Sequence, residues 1–110
     1  VLFGTWELAY AVWLDRQNIA WSRPTDRFVY YFEGKQRFYT PDFYLPTEDT
    51  FIEVKGFAVD KDRAKWAQFE KPLRILQQAD LLSLGVLVKD QRSIFVDPTL
   101  IAGIDPIAKK

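Results

Sequence analysis

Apolar residues recur along this chain first at spacings of three and four, then at spacings of two. Trp6, Tyr10 and Trp13 form one face of a helix predicted over residues 5–17, with Thr5 placed to cap it and Asn18 to end it. Glu7 falls at the edge of that face, about 100° from Trp6 and about 60° from Tyr10 on a helical wheel, so its carboxylate can point along the domain interior. From Arg27 the period drops to two. Residues 27–32 and 37–39 flank Glu33-Gly34-Lys35-Gln36, which reads as a hairpin with Gly34 opening a II′ turn. A second hairpin is predicted from residues 41–45 and 50–55, because Pro46-Thr47-Glu48-Asp49 between them has turn composition. If those four residues are the loop, Asp42 lies opposite Glu53 and Tyr44 opposite Phe51. Alternation then sends Asp42, Glu53 and Lys55 to one face and Phe43, Leu45, Ile52 and Val54 to the other.

Gly56 lets the chain leave the sheet, and Asp60 can cap a helix running to about residue 69, with Trp66 and Phe69 turned inward and Lys61 and Lys65 on its other face. Pro72 ends that stretch. A short strand over residues 73–76 follows, then a helix over 79–84 that Gly85 stops. Residues 86–88 and 93–96 pair around 89–92, and beyond Asp97-Pro98 the pattern fades into a small-residue tail. Helices interleaved with strands define an α/β (α+β) chain, and 110 residues are enough for one compact domain spanning 1–110.

What does not fit a plain core is charge inside an apolar strand. Glu53 and Lys55 alternate with Ile52 and Val54, and charged groups stay out of strand interiors unless paired or bound to a metal. Two acids beside an ammonium suit a hard divalent cation, which takes oxygen ligands and keeps several waters. The expected ligands of Mg²⁺, with Mn²⁺ as a substitute, are Asp42, Glu53 and the Val54 carbonyl. Lys55 is placed to act on the attacking water or on the phosphate, and Glu7 to complete a second cation position.

Composition narrows the chemistry. With no His and no Cys, imidazole and thiolate mechanisms and the usual zinc ligands are excluded. The five Gly form no phosphate-cradling loop, so no nucleotide cofactor is expected. No apolar run reaches the roughly 18 residues of a membrane span and no leader pattern is present, so the expectation is a cytoplasmic protein without a membrane partner. The formal net charge is zero, not the balance of a protein that grips nucleic acid by bulk electrostatics. Locally the balance shifts, since residues 55–74 hold six basic against three acidic side chains.

Pro41-Asp42, ten intervening residues and Glu53-Val54-Lys55 together resemble the PD-(D/E)XK nuclease signature. The likeness continues in a glutamate on an opening helix, two hairpins and a helix after Lys55, following that family's αβββαβ order, which implies a core of about residues 5–85 with a C-terminal hairpin and tail over 86–110. The string Arg37-Phe38-Tyr39-Thr40-Pro41-Asp42-Phe43-Tyr44-Leu45-Pro46 through Ile52-Glu53-Val54-Lys55-Gly56 looks like small phage and prophage endonucleases, the junction-resolving type among them. It is also similar to the cleavage subunit of heteromeric transposases. The resemblance implies a restriction-endonuclease-like domain with a central mixed sheet flanked by helices, acting in a bacterial or phage-infected cell. Its activity would be metal-dependent DNA cleavage by Asp42, Glu53 and Lys55, with Glu7 matching the helix glutamate and branched or junction DNA as substrate.

Other features support two readings each. Lys61, Lys65 and Arg37 suit DNA-backbone contacts, or they keep a helix face and a sheet soluble. A domain this small covers little DNA, so cutting both strands implies a homodimer or a partner subunit. The rival function is a non-catalytic DNA- or protein-binding module of a larger phage or transposon assembly that retains the same fold.

Overall fold

In the computed structural model, residues 4–101 are described. The chain is mixed α+β, and among the described residues its contacts gather into two compact units, residues 19–77 and residues 4–18 with 78–101. Its elements run from α1 (Thr5–Arg16) to α4 (Pro98–Ile101).

The unit of residues 19–77 carries two hairpins, a helix and a returning strand. In the first hairpin β1 (Phe28–Phe32) pairs antiparallel with β2 (Lys35–Tyr39), Phe32 facing Lys35. The loop is thus Glu33-Gly34 alone, and both residues have positive φ, 54° and 72°. That is the signature of a I′ turn, so the expected II′ turn is corrected: Glu33, not Gly34, is its first central residue. In the second hairpin β3 (Phe43–Leu45) pairs with β4 (Thr50–Val54), with Tyr44 facing Phe51 as the four-residue loop requires. Phe43, Leu45, Ile52 and Val54 are all buried, the face that alternation assigned to the core.

After β4 the chain runs through α2 (Asp60–Gln68) and returns as β5 (Leu73–Leu76), which pairs parallel with β4. The result is a mixed sheet in the order β3-β4-β5 with β4 at its centre, while β1-β2 stands as a separate ribbon. The segment read as a short link before the first hairpin also contributes: Ser22 and Tyr44 exchange both backbone hydrogen bonds at 2.9 Å, adding a bridge on the free edge of β3.

Packing ties α2 to the ribbon. Gln68 acts like a strand partner for Tyr31, accepting its N–H at 2.8 Å and donating to its carbonyl at 2.8 Å. Phe69, just past the helix, meets Phe28, Tyr39 and Phe51 edge-on, with ring centroids 4.8, 5.7 and 5.4 Å away. Trp66, expected in the core, is only half-buried.

In the other unit, α1 buries Ala9, Tyr10, Ala11 and Leu14. Tyr10 stacks on Trp13 at 5.8 Å, while Trp6 and Trp13 stay half-buried, so Ala9 and Leu14 and not the tryptophans are the most deeply buried residues of the helix. α3 (Gln78–Leu84) ends at Gly85, whose φ of 84° reverses the chain into β6 (Leu87–Asp90) and β7 (Ser93–Val96), an antiparallel pair. α4 replaces the start of the expected structureless tail, and the Arg16 guanidinium bonds the Thr99 hydroxyl and carbonyl. The remainder of that tail lies outside the described residues.

Two helix starts differ from expectation by one residue. Thr5 and Asp60 are the first helical residues and not the caps. In each helix the acid at the third position turns back instead: Glu7 accepts the Gly4 N–H at 2.6 Å and Asp62 the Val59 N–H at 3.0 Å. Each bond satisfies an N–H at the helix entrance that would otherwise lack a partner.

Candidate active site

Glu53 is the centre of the site because the sheet gives it nowhere else to go. β4 is flanked on both edges, and its residues 51–54 are all buried, Glu53 at 6% exposure. Across the ribbon, Tyr39 is also buried, and its hydroxyl donates to Glu53 Oε1 at 3.0 Å. Asp42 lies one residue before β3, where the observed register continues to a position facing Glu53. Its Oδ2 accepts the Val54 N–H at 2.8 Å, which fixes the carboxylate against the strand that carries Glu53.

Electrostatics record the crowding. Burial, and then the nearby Asp42 charge, push the Glu53 carboxyl from 4.5 up to about 7, against the pull of Lys65, the Tyr39 hydrogen bond and Lys55. Tyr39 is pushed well above the ordinary tyrosine range by burial and by Glu53, so it stays a hydrogen-bond donor. The two acids therefore repel one another in a poorly solvated place, an arrangement that a bound cation would relieve.

Lys55 follows β4 directly. Its Nζ lies 3.4 Å from Asp62 Oδ1, and Lys65 Nζ lies 3.2 Å from the same oxygen. Asp62 is 3% exposed. Burial opposes its ionisation, yet the Val59 N–H and the two lysines outweigh that and hold its carboxyl below the usual aspartate value. Lys65 also passes 4.7 Å over the Tyr39 ring.

Asp42, Glu53 and Lys55 all lie in the unit of residues 19–77. Glu7 belongs to the other unit, where its carboxylate closes the start of α1. Val54 enters through its N–H, on Asp42. Of the expected DNA contacts, Lys61 is exposed, but Lys65 is drawn inward with a side chain 15% exposed. Arg37 is half-buried with its guanidinium 5.7 Å from the Phe32 ring, and its Nε is buried without a hydrogen-bond partner.

Tyr39 and Asp62 are the residues that sequence reasoning missed. Tyr39 had one usable signal, its place on the inward period of the ribbon. Asp62 had another, a spacing of three from Lys65 on a helix.

Among the described residues no group of three or more Asp, Glu, His or Cys gathers as a metal cluster. Two carboxylates are still an adequate donor set for Mg²⁺, which takes its other oxygens from water and substrate, though not for a closed all-protein cage. Also among the described residues, no helix is long and apolar enough to cross a membrane. No known protein family, curated protein or solved structure matches this chain.

Proposed function

We propose that this chain is a metal-dependent endonuclease that hydrolyses phosphodiester bonds in DNA. The observation that carries the reading is the buried Glu53 carboxylate, raised to about 7 beside Asp42 and facing two lysines. Asp42 and Glu53 would hold Mg²⁺, which when bound supplies Lewis-acid neutralisation of phosphate charge. Tyr39 holds Glu53 in one rotamer through its hydroxyl. The Val54 N–H does the same for Asp42, and the Val54 carbonyl is a further candidate donor. The Lys55 ammonium offers a compact positive charge for the phosphate oxygens as negative charge builds on them. Because the Glu53 carboxyl must lose its proton to take a cation, cation binding is favoured above about pH 7.

The direct test is cleavage of duplex, single-stranded and junction DNA with Mg²⁺ or Mn²⁺. Cutting is expected with either ion and binding without cutting in Ca²⁺, and Lys55→Ala should abolish cutting while the circular dichroism spectrum is unchanged. A sample that cuts none of these substrates in Mn²⁺ defeats the proposal. Preference for junctions over duplex is the substrate reading, decided in the same assay. Cutting of both strands requires two such sites, in a homodimer or with a partner subunit, which sedimentation with and without DNA measures.

A further inference from the structure

We infer that Asp62 is a positioning residue of this site and that Lys65 is its second cation, the two acting with Lys55 as one unit. This rests on the nuclease reading above for its function, though not for its geometry. An unbroken chain of contacts runs through five side chains: Lys55 to Asp62, Asp62 to Lys65, Lys65 over the Tyr39 ring, and the Tyr39 hydroxyl to Glu53. Lysine is a point charge on a flexible stem, so an ammonium at a strand end is not aimed by its own backbone. Asp62 does the aiming. One carboxylate oxygen is tied to the Val59 N–H at 3.0 Å, which locks the group to the start of α2, and the other receives both ammonium groups.

Closing the helix entrance requires only the Val59 bond. It does not call for two lysines on the opposite oxygen, nor for burying the acid to 3% exposure. An acid at this helix position performs the same closure at lower desolvation cost when it is less buried, as the half-buried Glu7 does in α1. What the buried position adds is a fixed anion that holds two mutually repelling cations side by side. Both ammonium charges already act on Glu53, one of the groups that would hold the cation, and without that anion nothing would hold them back from it. Asp62 therefore keeps the lysines off the metal ligands and available to phosphate.

The test uses the full chain and Asp62→Asn, which retains an oxygen for the Val59 N–H and removes the charge. Side-chain ammonium NMR of Lys55 and Lys65, without metal or DNA, reads the anchoring directly. Both signals are expected to be shifted and protected in the parent protein and to collapse to free-lysine values in Asp62→Asn, at an unchanged far-UV spectrum. In cleavage, kcat is expected to fall about 10- to 100-fold with KM changed far less, the usual cost of removing a group that orients the reacting ones, and Asp62→Glu should restore part of it. Should Asp62→Asn not fold, Lys65→Met replaces it: the Lys55 signal is expected to stay ordered while kcat drops about 10-fold. Lysine signals unchanged in Asp62→Asn, or kcat unchanged in either folded variant, overturn the inference. A parent protein that cuts nothing defeats the nuclease reading instead, while the NMR still decides whether Asp62 fixes the lysines.

Discussion

Replacing Glu53 with Gln should make the protein more stable, and only above a definite pH. The folded carboxyl titrates at about 7 against 4.5 for an ordinary glutamate. Each pH unit of that difference is worth about 1.4 kcal/mol, so ionising Glu53 inside the fold costs on the order of 3 kcal/mol. The sign follows from proton counting. Between pH 4.5 and 7 the folded chain keeps a proton that the unfolded chain has released, so stability falls as pH rises through this window and is flat above it. Gln holds no such proton and can still accept from Tyr39. Urea unfolding of both proteins in EDTA should therefore give equal stability near pH 4.5 and an advantage for Glu53→Gln of about 2–3 kcal/mol at pH 8. At a urea slope of roughly 1–3 kcal/mol per molar, the midpoint moves by about 1 M or more. Adding Mg²⁺ at pH 8 should then stabilise the parent protein and leave Glu53→Gln where it was. Parallel stability curves across pH 4.5–8, or a variant that is weaker at every pH, would falsify the account of a buried, repelled carboxylate.

Further outcomes follow from the same contacts. Tyr39→Phe keeps the ring against Phe69 but removes the donor to Glu53. It should cost about 1–2 kcal/mol at pH 8 and little at pH 5, and should move the Glu53 titration upward when followed by carboxyl NMR. Asp62→Asn should show the opposite pH sense from Glu53→Gln, since a depressed carboxyl stabilises above its ordinary value of 3.8 and loses that contribution as pH falls below it; acid unfolding midpoints measure this. Glu33→Asn suits the left-handed φ of 54° at the first turn position and should add about 0.5–1 kcal/mol in thermal unfolding. Phe43→Ala empties a fully buried position and should lose about 3–5 kcal/mol in the same assay.

The second hairpin was legible in the sequence because a loop of four residues leaves only one register, and the register alone decides which side of the sheet Asp42 and Glu53 share. Periodicity found the helices, but not their first residues. An acid three positions into a helix outcompeted the Ser/Thr/Asp preference at the start, in α1 and again in α2. The first hairpin was found with the wrong turn, since a glutamate rarely adopts positive φ and nothing local announces that Glu33 does. The parallel partnership of β5 with β4 is a long-range pairing that residues 73–76 do not specify. Asp62 was invisible for a related reason. On the chain it is one charge among several in a basic stretch, and only the return of α2 beside β4 gives it Lys55 as a neighbour.

A buried carboxylate on a central strand is hard to attribute to folding. Phe51, two residues before it and on the same face of β4, shows that an apolar side chain can be buried there, and a neutral side chain at residue 53 would avoid about 3 kcal/mol of ionisation cost at pH 8. The lysines offset only part of that cost: both are committed to Asp62, and the Glu53 carboxyl stays raised in spite of their pull. Residues from β2, β4, α2 and the approach to β3 nevertheless converge on this one group. Strain of that kind, retained where apolar packing was available, is what the chemistry proposed for this site would require of Glu53. The same logic separates Glu53 from Glu7: the first is held against its own solvation, whereas the second closes a helix start and needs no further reason for its position.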